Sequence, residues 1–65
     1  MFILPAFIKE QRKLQKLTQE KLAEMSGVGL RFIRDLEQGK SSLRMDKVNQ
    51  VLRLFGKQLG PVSLA

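Results

Sequence analysis

Thr18-Gln19-Glu20-Lys21-Leu22-Ala23-Glu24-Met25-Ser26-Gly27-Val28-Gly29-Leu30-Arg31-Phe32-Ile33-Arg34-Asp35-Leu36-Glu37-Gln38-Gly39-Lys40 is the stretch that decides the fold. Thr18 suits an N-cap, because its hydroxyl can accept from a backbone N–H of the first turn. Lys21 stands where the acid of a capping box would normally be. A short helix then runs through Met25, with Leu22, Ala23 and Met25 expected on its inner face. Gly27-Val28-Gly29 reads as a tight turn, and Gly27 can take a positive φ at no steric cost. A second short helix follows from about Gly29 to Gln38, with Phe32, Ile33 and Leu36 inward. Gly39 stops it in a left-handed cap, followed by Lys40.

Upstream, Pro5 to Lys16 favours a helix, with Pro5 at its first position. Phe7, Ile8, Gln11 and Arg12 share one side of it. Downstream, Ser41 and Ser42 offer caps for a further helix, whose apolar positions are Met45, Val48, Val51, Leu52 and Phe55, and Gly56 ends it. From Gln58 onward no side chain is charged, and Gly60 and Pro61 forbid a regular helix. Leu59, Val62 and Leu64 alternate as a short strand would. Pro61 suits an edge strand only. With no second strand in the chain, such a tail either pairs with its twin across a two-fold axis, packed beside Val51 and Phe55, or frays.

These elements predict one all-α domain over 1–65. Its core is 6–56, its helix-turn-helix spans 19–38, and a C-terminal dimerisation strand lies at 58–64. Two short helices joined by a three-residue turn, a small residue at the crossing (Ala23) and apolar anchors on the second helix (Ile33, Leu36) meet the demands of that plan.

Composition narrows the function. Twelve Lys and Arg against six Asp and Glu give a net charge of +6, which points to a polyanionic partner, nucleic acid before an anionic membrane. The chain has no Cys and no His. That removes the disulfide framework, the usual zinc ligands and the commonest general base. Glu20 and Glu24, one helical turn apart, then read as surface acids. Neither metal nor cofactor is expected, and no nucleophile–base constellation suggests an enzyme. The longest unbroken apolar run, Met1 to Ile8, is too short to span a membrane and lacks the basic flank of a signal peptide, so a cytoplasmic protein is expected.

The run Thr18-Gln19-Glu20-Lys21-Leu22-Ala23-Glu24 resembles the TQEELAE signature of the Cro/C1-type (Xre) helix-turn-helix family. Phe32 to Lys40 resembles that family's ISRIERGK segment. The resemblance spans about residues 6–56 and implies a compact four- to five-helix domain of the lambda-repressor-like kind, which binds palindromic operator DNA in the major groove as a homodimer. The ending Leu54-Phe55-Gly56-Lys57-Gln58-Leu59-Gly60 resembles HipB-type antitoxins. That narrower likeness implies a HipA-like kinase toxin as a partner and a C-terminal strand paired across the dimer.

Carried onto this sequence, the family pattern implies DNA-backbone contact at Gln19, a recognition-helix face made of Gly29, Leu30, Arg31, Arg34 and Asp35, and flanking contacts from Lys40 and Arg44. The chemistry agrees, since Arg can bond guanine O6 and N7 bidentately and helix N-termini attract phosphate. Arg12 and Glu37 match a family ion pair between the first and third helices. Three positions depart from the pattern. Gly29 replaces the usual Ser or Thr cap, and Leu30 replaces a commonly polar residue. Lys16 stands where the family often has Gly, so a left-handed Lys16 is expected. The alternatives to an antitoxin repressor are a solitary phage-type regulator and a protein-interaction module that no longer binds DNA. Leu14 is either scatter or part of a partner surface.

Overall fold

The computed structural model describes residues 4–40 and 42–57. Four α-helices follow one another: α1 Leu4–Leu14, α2 Gln19–Ser26, α3 Leu30–Gln38 and α4 Met45–Leu52, with a 3-10 turn over Arg53–Phe55. No strand occurs among the described residues. The dimerisation strand expected at Leu59, Val62 and Leu64 lies outside them, as does Ser41.

Packing is dictated by the apolar periodicity of each helix. Ile8 from α1, Leu22 and Ala23 from α2, Ile33 and Leu36 from α3, and Val48, Val51 and Leu52 from α4 converge with Val28 of the turn into one core. Ile8, Leu22, Ile33, Leu36 and Val51 are wholly removed from water. Each contributes about 1.5–3 kcal/mol by area. Helix α3 lies at the centre, packed against both α1 and α2.

The helix ends are set by local chemistry. At the end of α1, Leu17 N donates to Arg12 O and Lys16 N to Lys13 O, both at 3.0 Å. That is the Schellman pattern, which places Lys16 at the left-handed position usually given to Gly. Its φ is indeed +58°, the single positive φ outside glycine among the described residues. The Thr18 hydroxyl accepts from Lys21 N at 3.0 Å, so the cap of α2 stands as expected. Gly27 at φ +79° ends α2 and Gly39 at φ +82° ends α3.

Three packing expectations need correction. Met25 is exposed and Ser26 takes its inner place. At 100° per residue Ser26 falls between Leu22 and Ala23 on the wheel while Met25 falls well outside them. The Ser26 hydroxyl is satisfied in the core by donating to Leu22 O at 2.7 Å. Met45 is exposed too: it lies about 20° from Leu52 on the wheel, but as the first residue of α4 it stands short of the core that Val48, Val51 and Leu52 enter. The N-cap of α4 is Arg44, with no side-chain cap bond, and Ser42 lies two residues further upstream. The chain therefore enters α4 later than its serines suggest.

Candidate nucleic-acid interface

Helix α3 presents two unlike faces. Ile33, Leu36 and Glu37 are buried, with Leu30 and Phe32 half-buried against the core. Arg31, Arg34 and Gln38 are exposed and Asp35 is half-buried. At 3.6 residues per turn these four occupy an arc of about 100° opposite Ile33. The geometry revises two expectations. Leu30, expected on the outward face, leans into the core and offers only part of its surface. Gln38 completes the outward face, and its spacing of seven from Arg31 was the signal for it in the sequence.

Arg31 and Arg34 form no ion pair among the described residues, which leaves both guanidinium groups to an outside partner. Gly29 precedes them as the N-cap of α3, at φ −73° and ψ 152° with no side-chain cap. A Cβ added there would meet nothing within 4 Å, so the α3 N-terminus is open to a ligand. The two flanking cations expected at the groove already have partners. Lys40 Nζ lies 3.5 Å from Asp35 Oδ2. Arg44 grips Asp46 through Nε at 3.1 Å and Nη2 at 2.8 Å, which holds the exposed Asp46 carboxyl below its ordinary range. Both cations are exposed, and surface pairs of this kind are worth little in water, so Arg44 can exchange its partner for phosphate, while the Lys40 ammonium, with three donors, can meet a phosphate without releasing Asp35.

Behind this surface a buried polar junction locks the helices together. Arg12 Nε donates to Glu37 Oε2 at 2.6 Å and Nη2 donates to Oε1 at 3.1 Å, while Nη1 donates to Leu17 O at 2.9 Å. The Glu37 side chain is 2% exposed and that of Arg12 14%. Gln19 Nε2 also donates to Glu37 Oε1, at 3.1 Å. Burial alone would raise the Glu37 carboxyl, but the bonds from Arg12 and Gln19 outweigh it and hold the group below its ordinary value. Gln19, expected at the DNA backbone, is thus the residue that couples the start of α2 to α3. This bond had no signal in the sequence, because Gln19 and Glu37 are remote along the chain.

No group of three or more His, Cys, Asp or Glu that could hold a metal occurs among the described residues. No described helix is long and apolar enough to cross a membrane.

Comparison with known proteins agrees with this geometry. The helix-turn-helix family matches residues 8–62. The chain is 51% identical over 51 residues to the uncharacterized HTH-type transcriptional regulator y4mF of Sinorhizobium fredii (strain NBRC 101917 / NGR234). That match covers 78% of this chain and 67% of the relative. The glycine turn between α2 and α3, the buried Ala23 at their crossing and these two matches together place the chain in the Cro/C1-type helix-turn-helix family.

Proposed function

We propose that the protein is a sequence-specific DNA-binding transcriptional repressor, with α3 as the helix that enters the major groove. The observation that carries this is the pair of unpartnered arginines, Arg31 and Arg34, on the outward face of α3 in a chain of net charge +6. Arginine donors match guanine O6 and N7, and an excess of cations gives the salt-dependent affinity that phosphate contacts require. The Sinorhizobium relative's description as a transcriptional regulator supports the same role. Gln19, Gly29, Lys40 and Arg44 surround the arginines in sequence as candidate phosphate contacts, with Leu30 and Asp35 as further groove residues. Two copies related by a two-fold axis, joined through Leu59, Val62 and Leu64, would read a palindrome whose half-sites lie about 34 Å apart.

The test is a gel-shift titration against duplex selected by the protein itself. Arg31→Ala and Arg34→Ala should each cost about 1–3 kcal/mol of specific affinity. Full affinity in both variants refutes α3 as the reading helix.

The uncharged tail and the Leu54–Gly60 segment favour a second layer of function, in which this repressor is the antitoxin of a HipA-like kinase and represses their shared operon. Co-purification with a HipA-like kinase encoded in the neighbouring gene supports that layer. A solitary gene with operator binding intact leaves a free-standing regulator instead.

A further inference from the structure

Asp35 is the acid on the outward face of α3, and its environment is unlike that of a solvated surface acid. Arg31, one turn before it, is the ordinary partner for an acid on a helix. Yet no Arg31–Asp35 ion pair forms, and the carboxylate turns instead toward the helix C-terminus. There the left-handed Gly39 closes α3 with Lys40 N donating to Asp35 O at 3.0 Å. This closure fixes Lys40 beside Asp35, its Nζ 3.5 Å from Oδ2, and the Asp35 side chain is only 27% exposed. The outward face therefore carries a free donor at Arg31 and a held acceptor at Asp35.

An acid placed against a polyanion is unfavourable unless it is neutralised and has a donor to bond. Lys40 supplies the neutralisation. The donors a major groove offers are the N4 amino group of cytosine and the N6 amino group of adenine. An ionised carboxylate can only accept. Beside adenine N6 lies the N7 acceptor, which repels it, whereas no acceptor flanks cytosine N4 on that side. Chemistry thus favours cytosine.

Resting on the DNA-binding reading of α3, we propose that Asp35 is a specificity-determining residue that accepts from a cytosine amino group, with Lys40 as the residue that holds it in place. Four residues separate it from Arg31, about 6 Å along the helix. That is roughly two base-pair steps at 3.4 Å each, so a guanine read by Arg31 and a cytosine read by Asp35 fall close together in each half-site.

The experiment selects binding sites from a randomised duplex library with the full chain and with Asp35→Asn, then titrates both proteins against the wild-type site and its single base-pair changes. Asparagine bonds adenine bidentately through N6 and N7. The wild type should require cytosine at one position per half-site, with a loss of about tenfold or more on changing it. Asp35→Asn should lose that requirement and prefer adenine there, with every other position unchanged. Lys40→Gln should weaken the cytosine requirement more than it weakens binding to unrelated duplex. If Asp35→Asn instead tightens all duplexes alike and keeps the wild-type base profile, Asp35 is a surface ion-pair partner only and the proposal falls while DNA binding stands. If the wild type enriches no sequence and shows no salt-dependent duplex binding, the DNA-binding reading falls, and the proposal with it. Melting curves of both variants confirm folding, since neither change touches the core.

Discussion

Glu37→Gln removes one charge from the junction of α1, α2 and α3 and leaves nearly every atom in place. Its effect follows from who loses what. Arg12, with a side chain 14% exposed, loses the countercharge it meets at 2.6 and 3.1 Å and keeps Leu17 O at 2.9 Å and one bond to the remaining amide oxygen. Whichever way the new amide turns, its N–H2 faces an Arg12 donor, Nε at one oxygen position or Nη2 (with Gln19 Nε2) at the other, so at least one bond becomes a clash of donors. Breaking a buried pair by removing one partner costs about 3–5 kcal/mol. The residual exposure of Arg12 argues for the lower end. A chain of this size has a total stability of roughly 3–10 kcal/mol, so the variant gives up a third of it or more. At about 4–8 °C per kcal/mol for a small domain, the melting temperature should fall by at least about 12 °C. The sign of the pH dependence follows as well. The folded Glu37 carboxyl lies below its ordinary value, so the unfolded chain binds its proton first as pH falls. The stabilisation is present above the unfolded value near 4.3–4.5 and is lost as pH drops through the lowered folded value. Thermal melts followed by circular dichroism should therefore show wild-type stability falling on that acid limb, and a flatter limb in Glu37→Gln. A shift below about 3 °C at neutral pH would refute the buried pairing as a stabilising element.

Lys16→Gly should leave stability unchanged or raise it by up to about 1 kcal/mol, because glycine relieves the φ of +58° at a modest entropic cost; a clear loss in a urea melt contradicts this. Gly27→Ala should destabilise by about 1–2 kcal/mol, since φ is +79° and the new Cβ would lie 3.1 Å from Gln50 Nε2, which itself donates to Ser26 O at 2.9 Å. The same melts should find Gly29→Ser neutral or better by a few tenths of a kcal/mol, as an open site gains a capping hydroxyl; a loss there means that the site is not open. Removing residues 58–65 should convert a dimer to a monomer in sedimentation and weaken operator binding, and an unchanged dimer excludes a tail-mediated two-fold.

What was legible in the sequence was whatever local chemistry decides. Thr18 caps α2 because a hydroxyl three residues before a free N–H has little else to do, and Gly27 and Gly39 end their helices because left-handed positions admit few other residues. The left-handed Lys16 was legible through the family pattern, which places Gly there, and the Schellman bonds show why the backbone must turn at that point. The misreadings share one cause, which is ranking residues by hydropathy where position on the helix decides. Methionine has core hydropathy at 25 and 45, but Met25 falls outside the buried arc of α2 and Met45 stands at the very start of α4, short of the core. Serine at 26 carries no hydropathy signal for the core, but its hydroxyl finds a carbonyl one turn back and needs no water.

The site divides along the same line. Arg31 and Arg34 could be placed outward by periodicity alone, because Ile33 and Leu36 fix the inward direction of α3. The partners of the polar residues could not, since they depend on which loop brings which end close. Gln19 meets Glu37 only after the Gly27 turn has folded α2 onto α3. Lys40 meets Asp35 because the Gly39 closure reverses the chain within one residue. Each glycine thus does more than end a helix: by fixing the direction of the chain it sets which polar groups are held and which are free. On α3 the held groups are Glu37 and Asp35 and the free ones are the two arginines. Net charge alone would leave any basic helix as a candidate for DNA. Among the described residues Lys13, Arg53 and Lys57 make no ion pair either, so what distinguishes the outward face of α3 is that two unpaired arginines, able to bond a base edge bidentately, flank a restrained acid.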